Sequence, residues 1–200
     1  MTSRSLIVVG LAVLTFAWIG PLPAWVPSSF AAHMTLHMLV VGIGAPAFAI
    51  GLAGWAGPAT RLRLPGPLVA GVSLLDLAVV WGWHAPALHA ASRGEPTVLA
   101  MEQTSFASVT LALWFLAFAG PPLLGALSLF MTSMHMTLLG VLLSLAPHPS
   151  FAGHGSHAGG FSGFSALQDQ QLGGVVMLAV GGSVYLIGGL FLVARLLRPA

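Results

Sequence analysis

The sequence has no cysteine and no lysine among its 200 residues, and charged side chains are scarce. Without cysteine there can be no disulfides, thiolate nucleophiles or iron–sulfur clusters, so any metal ligands must be histidine, methionine or carboxylate side chains. Charged residues make up only 5% of the chain, whereas a soluble domain has about 25%. Hydrophobic residues make up 57%. This composition predicts an integral membrane protein.

Long apolar runs recur along the chain, each close to the length that crosses about 30 Å of hydrocarbon as a helix. They lack the alternation typical of strands. We therefore predict one transmembrane domain, residues 1–200, built as an all-α helical bundle. The six expected spans are Leu6–Ile19, Phe30–Gly51, Leu68–Trp83, Val98–Ala119, Leu123–Leu145 and Leu172–Leu197. The first run could instead be a signal peptide, but no clear cleavage site follows it, so a retained helix is expected.

The six arginines favour one orientation in the membrane, because positive residues concentrate in cytoplasmic segments. Only Arg93 falls on one side of the six-span arrangement. The other side has Arg4, Arg61, Arg63, Arg195 and Arg198. Both termini are therefore expected in the cytoplasm, with the protein in the inner (cytoplasmic) membrane. The net charge of +2 reflects this topology and does not indicate a nucleic-acid partner.

In this orientation every histidine, and every methionine except the first, lies in the outer half of the molecule. Coordinating and ionisable groups inside a bilayer are costly, so they usually face the bundle interior and carry function. Imidazole and thioether together form a soft ligand set that suits copper, particularly Cu(I). Zinc accepts histidine readily but gains little from methionine. The pattern therefore predicts a copper site near the outer surface.

The second span contains the first candidate ligands. His33 and His37 are four residues apart and project from one helical face, close enough to bind one ion. Met34 and Met38 repeat this spacing on an adjacent stripe and are predicted as softer auxiliary ligands. The alternative is that both histidines are core residues hydrogen-bonded to neighbouring helices.

Spans three and five contribute further candidates. His135 in span five is predicted as a ligand, with Met131 and Met134 on the same helical face as auxiliaries. Methionine also fills gaps in cores, which is the alternative for these two residues. His84, at the end of span three, is either a third ligand at the depth of the second-span histidines or an interfacial residue. His89 is expected to be a solvated loop residue.

Three acidic residues have candidate roles near these ligands. Glu102 opens span four and Asp169 precedes span six. Each is either a helix cap or a hydrogen-bond acceptor that orients a ligating imidazole. Asp76 lies inside span three, where an ionised carboxylate is costly, so it is either neutral or paired with a polar partner that the sequence does not identify.

The loop between spans five and six carries three more histidines, His148, His154 and His157. The loop is rich in glycine and is predicted to be flexible. It could capture metal ions transiently or serve as a plain connector.

Four segments give the chain a family resemblance. They are His33-Met34-Thr35-Leu36-His37-Met38, Trp83-His84-Ala85-Pro86-Ala87-Leu88, Met136-Thr137-Leu138-Leu139-Gly140 and Asp169-Gln170-Gln171-Leu172-Gly173-Gly174. Together they resemble the CtaG-type cytochrome c oxidase assembly factors, in the family's order, from about residue 27 to 195. The resemblance implies a multi-span membrane protein that matures the copper-containing part of cytochrome c oxidase. The chain lacks the histidines that relatives place beside Glu102.

These observations predict a non-enzymatic, copper-binding assembly factor, with the metal bound as Cu(I). Its expected partners are the lipid bilayer and an oxidase subunit whose copper centre faces outward, and a homo-oligomer remains open. One alternative is a haem protein with histidine axial ligands. Another is a metal-dependent membrane enzyme that uses Glu102 as its base.

Overall fold

The computed structural model describes residues 2–56, 65–151 and 163–197, and these residues form helices without any strand. Six helical segments are long and apolar enough to cross a membrane, which confirms the all-α membrane bundle. The spans comprise α1 (Ser3–Ile19) with α2 (Leu22–Trp25), α3 (Phe30–His37) with α4 (Ala45–Ala56), α5 (Gly66–Trp83), α7 (Pro96–Ala119), α8 (Pro122–Ser144), and α9 (Ala166–Val176) with α10 (Ser183–Leu196). A short helix, α6 (Pro86–Gly94), connects spans three and four.

The sixth span begins earlier than its apolar run, at Ala166 instead of Leu172. Ser165 and Gln168 form a capping box, in which each side chain accepts a hydrogen bond from the backbone N–H of the other residue. Such a box satisfies the free N–H groups of a helix start. The first turns of α9 are polar but partly buried in the bundle, so hydropathy alone does not detect them.

Two π-helical segments interrupt the second and sixth spans, Met38–Gly44 and Met177–Gly182. In the first segment the Ala45 N–H bonds to the carbonyl of Val40, five residues back. The next residue, Pro46, has no N–H to offer Val41. The Tyr185 hydroxyl from the sixth span donates to that carbonyl instead, at 3.1 Å, so the two interrupted spans are joined where the helix is irregular.

The first span packs closely on the second. A Cβ atom at Gly10 would lie 2.5 Å from the backbone nitrogen of Phe48 and 2.8 Å from the carbonyl oxygen of Gly44. The glycine therefore allows α1 and α4 to approach backbone to backbone, as small residues do in membrane helix pairs.

Helix α6 lies at the end of the bundle where spans one, three and five end and spans two, four and six begin. It packs on α7. The Arg93 guanidinium donates from Nη2 to the carbonyl of Pro27 at 2.8 Å and thereby ties α6 to the start of the second span. Burial lowers the pKa of Arg93, and attraction to Asp169 acts in the opposite direction. The candidate site lies beneath this helix.

Candidate metal centre

Helices α3 and α7 bring together two imidazoles and one carboxylate. His33, His37 and Glu102 are all buried. One potential ligand atom from each residue lies within 4.8 Å of the other two. Helix α3 presents both imidazoles to the site because residues i and i+4 share a helical face. Their rings lie 4.4 Å apart between centroids.

The Glu102 carboxylate faces both histidines. Nε2 of His33 donates to Oε2 of Glu102 at 2.8 Å, and Nε2 of His37 lies 3.7 Å from Oε1. Neither Oε1 of Glu102 nor Nε2 of His37 has a hydrogen-bond partner within the described part of the chain. Buried polar atoms are normally paired, so these two atoms mark a place suited to a cation.

Gln103 and Phe106 complete the surroundings of His37. The Gln103 amide nitrogen donates to Nδ1 of His37 at 2.9 Å and to Oε2 of Glu102 at 3.3 Å. The Phe106 ring packs edge-on against His37, with centroids 4.7 Å apart. Neither residue was predicted as part of a site, although Gln103 belongs to the polar run Glu102-Gln103-Thr104-Ser105 at the start of span four.

His84 and Met34 form a second pair of donor atoms nearby. The His84 ring lies 5.9 Å from that of His37. Its Nδ1 donates to the carbonyl of Val80 at 2.7 Å, and its Nε2 lies 3.5 Å from the Met34 sulfur. Burial lowers the pKa of His84, while the Val80 hydrogen bond and the Glu102 charge act in the opposite direction. Both side chains are buried.

The expectation that His89 is a solvated loop residue is wrong. His89 lies on α6 with only 1% of its surface exposed. Its ring stacks on His33 at 4.7 Å and contacts Phe151 at 4.3 Å between centroids. The amphipathic helix α6 covers the site and directs this imidazole inward. In the sequence, Pro86 indicated the start of a helix there, because proline is common at the first helical position.

Residues 4–199 match the family described as cytochrome c oxidase caa3 assembly factors (Caa3_CtaG), which is nearly the whole chain. The chain belongs to this family. No match was found among the curated proteins or the solved structures. The resemblance of the sequence to the oxidase assembly factors is therefore confirmed, as is the multi-pass membrane architecture.

In this member of the assembly-factor family, Asp169 caps a neighbouring helix. Its Oδ1 accepts from the Ser29 hydroxyl at 2.8 Å and its Oδ2 accepts from the Phe30 N–H at 2.6 Å. The Ala31 N–H also points at Oδ1, at 3.3 Å. A carboxylate at a helix N-terminus satisfies free N–H groups and favours the helix dipole. Asp169 thus fixes the helical turn that precedes His33.

The assembly factor pairs Asp76 with His135, which identifies the partner that the sequence did not reveal. Nε2 of His135 donates to Oδ2 of the buried Asp76 at 3.2 Å, and the Thr132 hydroxyl donates to the same oxygen at 3.3 Å. This pair joins α5 to α8 inside the membrane. The structure does not bring His135 into contact with His33 or His37 among its described interactions.

The predicted methionine ligands divide into two groups. Met34 and Met38 are buried in the bundle. Met131 and Met134 are 52% and 65% exposed, and with His135 they line a groove of about 760 Å³ between α5 and α8. His148 is exposed, and His154 and His157 lie outside the described residues.

Proposed function

We propose that this chain binds a copper ion between His33, His37 and Glu102 and supplies it to the copper-bearing subunit of cytochrome c oxidase. The observation that carries the proposal is the buried pair formed by Nε2 of His37 and Oε1 of Glu102, 3.7 Å apart. Protein metal ions such as zinc bind nitrogen and oxygen ligands at about 2.0–2.2 Å. One ion can therefore reach both atoms.

The donor set favours a transition metal. Magnesium and calcium prefer oxygen ligands, whereas this cluster offers two imidazoles for one carboxylate. Imidazole suits copper and zinc alike. Two considerations favour copper, namely the membership of the chain in an oxidase assembly family and the buried thioether of Met34 beside His84. When bound, the ion would be the cargo of the protein.

The position of the cluster suits delivery on the extracytoplasmic side. The histidine cluster lies at the end of the bundle that carries Arg93, and the other five arginines belong to the opposite end by sequence. The positive-inside rule assigns the Arg93 end to the outside. Both termini are then cytoplasmic, and the ion would be offered on the face where the outward copper centre of the oxidase subunit is expected.

The haem alternative finds little support in this geometry. Axial ligation by two histidines needs imidazoles on facing helices with the macrocycle between them. Here His33 and His37 lie on one helix with their rings in contact, and His33 is hydrogen-bonded directly to Glu102. The proposed site also leaves out His135, Met131 and Met134, whose described contacts lie elsewhere.

The test compares two glutamate variants of the full-length, detergent-purified protein. We expect Glu102→Gln to weaken copper binding by at least about tenfold, since even groups that only orient metal ligands usually contribute this much. Copper content would be measured by mass spectrometry. Glu95→Gln is the matched control, because Glu95 is exposed at the start of the same helix and should retain copper fully.

The same variants should be tested in cells for assembly of an active oxidase. We expect Glu102→Gln to reduce oxidase activity and Glu95→Gln to preserve it.

The double variant His33→Ala/His37→Ala should lose little more copper than either single variant, because members of one coordination site are not additive. Full copper content in the double variant would overturn the proposal.

A further inference from the structure

The His84 imidazole presents a lone pair to a sulfur atom. Its Nδ1 lies 2.7 Å from the carbonyl oxygen of Val80. A carbonyl can only accept, so Nδ1 must carry the proton. In a neutral imidazole the other nitrogen, Nε2, is then an acceptor. That nitrogen faces Sδ of Met34 at 3.5 Å, and a thioether has no hydrogen to donate.

When the imidazole is neutral, two electron-pair donors converge here without a proton between them. Both side chains are buried, so bulk water does not solvate the arrangement. Met34 also fills space against Gly173, whose added Cβ would lie 3.0 Å from the Met34 Cγ. Space filling accounts for the thioether, but it does not account for an imidazole lone pair directed at it. A soft cation bound by both atoms accounts for the pair.

We propose that His84 and Met34 form a second metal subsite that is selective for Cu(I). One nitrogen and one thioether sulfur are soft ligands of the kind that Cu(I) prefers, and zinc gains little from methionine. The subsite has no carboxylate of its own, so a monovalent ion adds less uncompensated charge to the protein interior than a divalent one. This inference rests on the proposed function, since it divides the handling of copper between two neighbouring sets of ligands.

The two sets are adjacent but chemically distinct. The His37 and His84 rings are 5.9 Å apart between centroids, and Phe106 contacts the rings of both. Met34 lies between His33 and His37 in sequence, so one helix positions ligands for both sets. The set around Glu102 carries a negative charge and suits divalent ions, whereas the set formed by His84 and Met34 is neutral.

The experiment measures Cu(I) and Zn(II) binding separately on the full-length protein. Variants Met34→Leu and His84→Asn are titrated with Cu(I) against a Cu(I) chelator and with Zn(II) alone. Leucine keeps the apolar volume, and the asparagine amide can still donate to Val80 while it removes Nε2. Met101→Leu is the control, because Met101 is 65% exposed beside Glu102.

We expect Met34→Leu and His84→Asn each to weaken Cu(I) binding by at least about tenfold, with little change for Zn(II). X-ray absorption of the Cu(I)-loaded parent should show a sulfur neighbour, which Met34→Leu removes and Met101→Leu preserves. A parent spectrum with only nitrogen and oxygen neighbours overturns the inference, whether or not the variants fold.

A separate arm distinguishes this inference from the proposed function. In His33→Ala/His37→Ala we expect Zn(II) binding and the copper held by the cluster around Glu102 to be lost, while the Cu(I)–sulfur signal of the second subsite persists. If that variant loses copper and zinc but Met34→Leu keeps its sulfur signal, the second subsite is refuted and the first stands. If His33→Ala/His37→Ala keeps both metals while Met34→Leu loses the sulfur signal, the proposed function fails instead.

Discussion

At the scale of single residues, the hydrogen bond from Gln103 determines which ring nitrogen of His37 carries the proton. Gln103 donates its amide N–H to Nδ1 of His37, which leaves the imidazole proton on Nε2, facing Glu102. A metal ion bound at Nε2 would displace this proton, and Nδ1 would then need an acceptor. The Gln103 amide can provide one by rotating so that Oε1 replaces the nitrogen.

This coupling predicts opposite effects for two substitutions at one position. Gln103→Leu removes the acceptor and should weaken metal binding by about tenfold. Gln103→Glu offers an oxygen in either orientation and adds negative charge beside the cation, so it should bind metal at least as tightly as the parent. Affinities are measured by chelator competition. Equal changes in the same direction for both variants would show that Gln103 does not orient His37.

The sequence could indicate candidate ligands where a local pattern marks them, but it could not indicate which residues tertiary packing buries. The spacing of His33 and His37 and the polar run at Glu102 are local signals, and the structure brings these three residues together. Met131 and Met134 share a helical face with His135, but that spacing does not indicate whether the face points into the bundle. Lipid is as apolar as a protein core, so hydrophobicity does not distinguish a methionine facing lipid from one facing the bundle. The burial of His89 depends on how α6 packs, which its own sequence does not determine.

At the scale of helices, the carboxylate of Asp169 connects the sixth span to the second. We expect Asp169→Asn to lower the stability of the protein by about 1–2 kcal/mol, because it weakens a buried cap and its interaction with the helix dipole. It should also weaken metal binding, since the capped turn immediately precedes His33. The melting temperature in detergent and the copper affinity are the two measurements.

A matched cap serves as the control for that prediction. Ser165 caps α9 itself, so Ser165→Ala should lower stability by about 1 kcal/mol and leave copper affinity unchanged. If both variants lose copper affinity in proportion to stability, the effect of Asp169 is general and not directed to the second span.

The close contact between α1 and α4 gives another prediction at this scale. Gly10→Ala places a methyl group 2.5 Å from the Phe48 nitrogen, so the helices must separate and the melting temperature should fall. Gly71→Ala on α5 meets nothing within 4 Å. It should be neutral or stabilising by up to about 1 kcal/mol, because alanine favours the helix. A similar melting temperature for the two variants would show that the close approach does not contribute to stability.

At the scale of the whole molecule, the all-α bundle of six membrane-spanning helices is confirmed, but their direction across the membrane is still a prediction. Hydropathy located the six spans because each apolar run is continuous. It did not detect the polar start of α9 or the helix α6, which lie outside those runs. Direction depends on the distribution of arginine outside the spans, which the packing of helices does not report.

Reporter fusions test the direction. A periplasm-active reporter fused after Ala200 should be inactive, and the same reporter inserted near Gly159 should be active, because the loop is expected outside. A cytoplasm-active reporter at the same two positions is the reciprocal control. Activity of the periplasmic reporter at Ala200 alone would reverse the orientation and place the candidate metal centre on the cytoplasmic side.

The pair formed by Asp76 and His135 also bears on how the protein is made. The two residues are 59 positions apart in the chain, so at about 5–20 residues per second Asp76 is synthesised roughly 3–12 seconds before its partner. An aspartate at the centre of an inserting helix costs about 2.5–3.5 kcal/mol, and the third span has a mean hydropathy of only 1.5. During translation the third span therefore lacks the hydrogen bond between Asp76 and His135 until the fifth span emerges, so we expect its stable insertion to follow the synthesis of the fifth span.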